Sequence, residues 1–265
     1  VMARIATHHA LGDIWAMGAD PQAATLSITL PRLSDTLAQR SLTEILSAAQ
    51  TILQDAGADI VGGHSTIGDE LTIGLAVAGL CDQDPITLNG AKDGAALILT
   101  KPIGSGVIMA ALMSGKARGA DVESALEAML RSQESASHIL RQSAQAMTDL
   151  TGFGLAGHTQ NICTASGLAA TLTLDTVPLL RGALDLSERG EYSSLNSNNR
   201  IGFSNISDNP HTRLLFDPQT SGGLLAAVPA NEANQIVSAL REAGHTNTAI
   251  IGHLHAGTVG QVGIA

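Results

Sequence analysis

The chain has 265 residues, enough for one large or two ordinary domains. With 44% apolar and 14% charged residues it is globular rather than disordered, and with one Trp, one Tyr and three Phe its core must be aliphatic. Fourteen basic against 24 acidic side chains leave a net charge of −10, which argues against a nucleic-acid or membrane-surface partner, although acidic enzymes do bind polyanions through Mg²⁺. No run of about 18 apolar residues suggests a transmembrane helix, and the start carries no signal-peptide pattern. Cys81 and Cys163 lack metal or redox spacing and read as free thiols of a reducing compartment. A cytoplasmic protein is expected.

Val1 to Ala6 enter an amphipathic pattern with no cap before it, so the chain is expected to start inside a larger fold. Ile5, Ala6, Ala10, Ile14 and Met17 predict a helix ending at Gly18. Ala24, Leu26, Ile28 and Leu30 alternate as a half-buried strand closed by Pro31. Ser34 is placed to cap a long helix with an apolar stripe from Leu42 to Leu53. A short strand, Asp59 to Val61, is expected to run into a glycine turn at Gly62-Gly63-His64-Ser65, and Leu71, Ile73, Leu75 and Val77 mark another strand. The polar stretch 81–94 is the expected domain boundary, dividing the chain into 1–84 and 85–265. Beyond it the pattern predicts a buried strand at 95–100 and helices to about Met147. A further helix, a strand at 170–175, a long mobile loop over 184–212 and a strand-helix-strand-strand ending follow. Strands interleave with helices throughout, so the class is α/β or α+β.

Glycine is over-represented, 28 residues or about 11% against a usual ~7%. It clusters after expected strands at Gly62-Gly63, Gly104/Gly106, Gly152/Gly154/Gly157 and Gly222-Gly223. Such turns, feeding helix N-termini, suit a phosphate ligand, or serve only as tight turns. Gly152-Phe153-Gly154-Leu155-Ala156-Gly157 also fits a dinucleotide pattern, with Asp175 eighteen residues on from Gly157. The approach Gln145 to Thr151 is polar and carries Asp149, however, and a carboxylate beside a pyrophosphate is repulsive without a cation between them. Asp13 is either a surface acid of an amphipathic helix or a Mg²⁺ ligand. His8 and His9 diverge by about 100° on a helix, which disfavours a zinc pair. His253 and His255 share a strand face and read as structural. Ser221 lacks a nucleophile elbow, and Lys101 either meets a phosphate or is solvated.

Three segments together resemble selenophosphate synthetase (selenide, water dikinase): Gly62-Gly63-His64-Ser65, Met147 to His158 (MTDLTGFGLAGH), and Asp217 to Leu225 (DPQTSGGLL). Arg4 to Asp13 and Leu99 to Gly104 agree in the same order, so the likeness spans essentially the whole chain. The resemblance implies a two-domain fold shared with aminoimidazole ribonucleotide synthetase, its N-terminal domain truncated here to 1–84 and pairing into a homodimer. The implied reaction converts ATP, selenide and water to selenophosphate, AMP and phosphate with Mg²⁺. By motif, Asp13 would bind Mg²⁺ and ATP; Gly63, His64 and Ser65 would meet ATP, from the neighbouring subunit; and Asp149 would be a second metal carboxylate. The family's glycine-rich leader, with its reactive cysteine or selenocysteine and its lysine, would precede Val1, so residues 1–265 alone are not expected to complete the reaction. His9 stands where the family commonly has Asn and His8 where it commonly has Thr. That pair resembles a branch fused behind a flavin/NADH-dehydrogenase-like module. Two other readings stay open: a Rossmann-type nicotinamide or flavin oxidoreductase, and a non-catalytic ATP-binding dimerisation fragment.

Overall fold

A computed structural model describes residues 1–265. Helix α1 (Met2–Ala16) leads into β1 (Asp20–Pro31), α2 (Asp35–Asp55), β2 (Asp59–Gly68) and β3 (Thr72–Leu80). The three strands form one sheet in the order β2-β1-β3, with β1 parallel to β2 and antiparallel to β3. The alternation read in β1 has a direct consequence. Ala24, Leu26, Ile28 and Leu30 pack with Leu11 and Trp15 of α1 and Ala49 and Leu53 of α2, while Thr25 and Ser27 of the same strand are exposed. Helices therefore cover one face of this sheet, and the other face is open.

Strand β2 departs from the sequence reading. It continues through Gly62-Gly63-His64-Ser65 to Gly68, where a glycine turn was expected. Parallel pairing with β1 carries the backbone onward, Leu26 standing opposite Gly63 and Ser27 opposite His64. A Cβ at Gly63 would lie 2.3 Å from the Leu26 carbonyl oxygen, so close strand approach, not an anion, requires this glycine.

The rest of the chain forms β4 (Ala96–Leu99), α3 (Ser105–Met113), α4 (Gly119–Leu130), α5 (Glu134–Leu140), β5 (Ala146–Asp149), α6 (Gly154–Ser166) and β6 (Ala169–Leu172). It continues through α7 (Ala183–Glu188), α8 (Asn196–Asn199), α9 (Pro210–Arg213), β7 (Leu224–Val228), α10 (Ala233–Glu242), β8 (Ala249–His255) and β9 (Val262–Ile264). Its six-stranded sheet runs β5-β7-β4-β8-β6-β9, antiparallel except for the β6–β9 pair. Leu97 and Leu99 face one apolar cluster while Ala96 and Ile98 face another, which is why β4 reads as an unbroken apolar run.

Two further expectations are corrected. The stretch 184–212 carries short helices rather than a long mobile loop, because its polar side chains close onto backbone: Asn196 Nδ2 donates to the Arg213 carbonyl at 2.9 Å, Ser187 Oγ to that of Pro210 at 2.6 Å, and Asn209 forms a capping box with Thr212. The dinucleotide reading fails on topology. Strands β5 and β6, which flank α6, are separated by β7, β4 and β8, whereas that motif needs adjacent parallel strands. Asp175 lies exposed in a 3-10 turn.

Helix α1 is the common wall. Its Leu11 and Trp15 belong to the core of the small sheet, and Ala16 to a core of the large one. Ser137 Oγ of α5 donates to the Trp15 carbonyl at 2.6 Å, and Asp20 meets His138 and Arg141 at 2.9 and 3.0 Å.

Candidate active site

Where α1 crosses the end of β5, Asp13 and Asp149 come together. A Cβ on Gly12 would sit 2.9 Å from Asp149 Oδ2, so only glycine lets the helix approach this closely. Asp149 is 7% exposed. Burial first, then the Asp13 charge, pushes its carboxyl up to about 7, and no basic group offsets them. Asp13 is exposed and lines a cavity of about 660 Å³ with His9, Thr220 and the apolar side chains of Met2, Ile5 and Leu75. Asp149 is not among the lining residues; it stands behind Gly12.

Gly63 and His64 line a different depression, on the open face of the small sheet, with Thr25, Ser27 and Ala76. Gly74 and Leu75 border both hollows, but β2 is at the far edge of the sheet from β3. Ser65 lines neither. Within one chain the structure thus brings Asp13 and Asp149 together and leaves the Gly63-His64-Ser65 segment apart.

The glycine turns divide as well. At the start of α3 the exposed donors are already used: Gln219 Oε1 accepts from the Gly104 and Ser105 N–H groups at 3.0 and 3.2 Å, and Asp217 Oδ2 from Gly106 N–H at 2.9 Å. The protein's own side chains fill this expected anion turn. Asp217 is fully buried, and burial raises its carboxyl to about 7. The turn after Asp149 is fixed by His158, whose Nε2 accepts from Thr151 N–H at 3.0 Å. Burial holds that imidazole down at about 4, so it is neutral and an acceptor.

Sequence reasoning missed the group around Ser221. This residue has a positive φ of 48°, and each of its polar groups is engaged. Its N–H donates to His9 Nδ1 at 2.9 Å, its Oγ to the Met129 carbonyl at 2.7 Å, and its own carbonyl accepts from Lys101 Nζ at 2.9 Å. Lys101 therefore neither solvates nor waits for a phosphate; burial, then Arg131, lowers its ammonium to about 7. The adjacency of His9 to Asp13 on one helix face was readable from i,i+4 spacing; its link to residue 221 was not.

A divalent cation fits the acid pair. No group of three or more His, Cys, Asp or Glu side chains forms a protein-only cage, and Mg²⁺ characteristically takes one or two carboxylates, the remainder being water and substrate phosphate. No helix is long and apolar enough to cross a membrane.

Comparison with known proteins gives the same frame. Residues 1–81 match the N-terminal domain of AIR synthase related proteins, and residues 92–264 the C-terminal domain. The selenide, water dikinase of Myxococcus xanthus is 36% identical over 266 residues, a match spanning 97% of this chain and 74% of that protein. That of Trichlorobacter lovleyi is 39% identical, with 87% and 68% spanned. Among solved structures, the hydrogenase maturation protein HypE in complex with ATP superposes with a TM-score of 0.77 at 20% identity, covering 99% of this chain and 75% of that one. The thiamine monophosphate kinase of Aquifex aeolicus gives 0.72 at 16%, covering 100% and 81%. These last two likenesses establish the fold, and the sequence relatives establish the kinship: the chain belongs to the selenide, water dikinase family and has the two-part AIR synthase related architecture.

Proposed function

We propose that this site serves the ATP-dependent synthesis of selenophosphate from selenide and water, releasing AMP and phosphate. Both phosphoanhydride bonds of ATP are cleaved in that stoichiometry, one phosphoryl group passing to selenium and the other to water. Asp13 and Asp149 would hold Mg²⁺, which when bound neutralises phosphate charge and polarises the phosphoryl oxygens. Asp149 supplies a carboxylate from a rigid strand end, and His158 holds the following turn through Thr151. The apolar cavity beside Asp13 offers a water-poor surface for the nucleotide. The observation that carries the reading is the acid pair itself: a buried carboxyl beside a second acid with no basic partner is a place for a cation.

Residues 1–84 act in this reading as the nucleotide-binding and dimerisation part, and 85–265 as the second domain. A homodimer through the small sheet is favoured by its uncovered face and by the apolar side chains that its edge strand β2 leaves exposed, Val61 and Ile67, at 66% and 73%. Such pairing would bring Gly63, His64 and Ser65 of one subunit to the nucleotide of the other. The two free cysteines suit the cytoplasm.

Isothermal titration with ATP tests the assignment. Binding that requires Mg²⁺ and is weakened in Asp149→Asn supports it; ATP binding indifferent to both metal and substitution sinks it.

A further inference from the structure

His8 and His9 are neighbours with opposite situations. His8 is 7% exposed, and its Nδ1 is buried without a partner. His9 is half-buried and lines the same cavity as Asp13. Its Nδ1 accepts the Ser221 N–H, which places the ring proton on Nε2. The anchor is firm. Ser221 is held at both its carbonyl and its hydroxyl, by Lys101 Nζ and the Met129 carbonyl, and its loop is tied to the Asp149 strand end by Gln219 N–H to the Thr151 carbonyl and Leu150 N–H to the Gly223 carbonyl, both at 2.9 Å. One nitrogen is thus fixed. The other has no protein partner and is not sealed from the cavity.

We propose that His9 is a nucleotide-binding residue of this site, its Nε2–H donating to an anionic phosphate oxygen of the ligand bound beside Asp13. Asp13 is one helical turn further along the same face, so donor and metal-binding acid address one ligand from adjacent positions. A neutral donor suits the place. An imidazolium would pair with Asp13 and compete with the cation, whereas the Ser221 contact uses Nδ1 as an acceptor and burial lowers the ring below its ordinary value, so that it offers an N–H without adding charge. The inference rests on the phosphate-binding reading of the site given above.

Substitutions separate the two nitrogens. In His9→Asn the side-chain oxygen reaches the position of Nδ1 and can accept the Ser221 N–H, but nothing extends to the position of Nε2. His9→Gln places an amide nitrogen near Nε2 and gives up the anchor; His9→Ala loses both. With the full chain, His9→Asn is expected to keep the wild-type melting temperature and adenosine affinity and to weaken magnesium-ATP binding by roughly tenfold or more, the usual worth of a hydrogen bond to a charged group. His9→Gln is expected to melt lower than His9→Asn yet to bind magnesium-ATP better than His9→Ala. Wild-type magnesium-ATP affinity in His9→Asn overturns the role of His9 alone. Unchanged affinity in Asp149→Asn, measured in the same series, overturns the site reading and the His9 assignment with it.

Discussion

Below about pH 7 a cation binding at Asp149 would have to displace a proton. With its carboxyl raised to about 7 by burial and by Asp13, about 0.9 of the molecules are protonated there at pH 6 and about 0.1 at pH 8. Binding of magnesium-ATP should therefore release about 0.9 protons from this group at pH 6 and almost none at pH 8. Its contribution to affinity should fall about tenfold, or ~1.4 kcal/mol, for each unit below pH 7. Titration calorimetry in two buffers of different ionisation enthalpy counts the released protons. The same count in Asp149→Asn subtracts the protons of ATP itself, so the difference belongs to Asp149. The linked stability has a definite sign. A carboxyl whose pKa is higher in the folded than in the unfolded chain stabilises the fold at low pH, and that stability is lost as pH rises through about 7. Magnesium should restore it. Proton release equal at the two pH values, or equal in wild type and Asp149→Asn, would refute the picture of a buried acid waiting for a metal.

Gly12→Ala should displace the Asp149 carboxyl, since the new methyl would lie 2.9 Å from Oδ2; magnesium-ATP affinity is expected to drop by about an order of magnitude while the helix propensity gain offsets part of any stability loss, as calorimetry and thermal melts would read. Asp217→Ala leaves the Gly106 N–H without its acceptor, while the Gln219 amide keeps its bond to the carbonyl of residue 217, and should cost about 1–3 kcal/mol in denaturant titrations; Asp217→Asn should flatten part of the stability decline as pH rises through about 7. His158 is held down at about 4, so the stability it contributes is complete above its ordinary value of 6.5 and is lost as pH falls toward 4, by about 1.4 kcal/mol per unit. His158→Gln should reduce that acid sensitivity in pH-resolved melts, and an unchanged profile would count against a buried neutral imidazole.

Long elements with a single repeating face were legible in the sequence. The stripe of α2 and the alternation of β1 each bury one side against the same cluster, so periodicity and packing say the same thing. Short elements were legible where every residue is apolar, as in β4 and β7, and not where polar residues enter. Strand β5 is four residues with Thr148 and Asp149 among them, and it exists because β7 pairs with it, a partner some 75 positions away in sequence. Glycine was ambiguous for a physical reason. The same residue type admits a close backbone at Gly63, a close helix at Gly12, and a turn whose donors Gln219 and Asp217 already occupy at Gly104 and Gly106. Asp149 was picked out from charge placed where a bare anion would be repelled, whereas Asp13 stayed open between a surface acid and a Mg²⁺ ligand until the motif resemblance implied its role. His9 was discounted as a metal ligand, and its actual neighbour, Ser221, lies 212 positions on.

Because α1 is embedded against both sheets and tied to α5 through Ser137, and Asp20 of β1 is held by His138 and Arg141, the peptide link between the halves is not what holds them together. The exposed run Asp82 to Asp84 is the natural place for a protease to enter. A molecule nicked there should migrate as two bands in detergent yet elute as one particle from a native column, and it should still bring Asp13 up to Asp149, since helix and strand stay mated without the covalent tether.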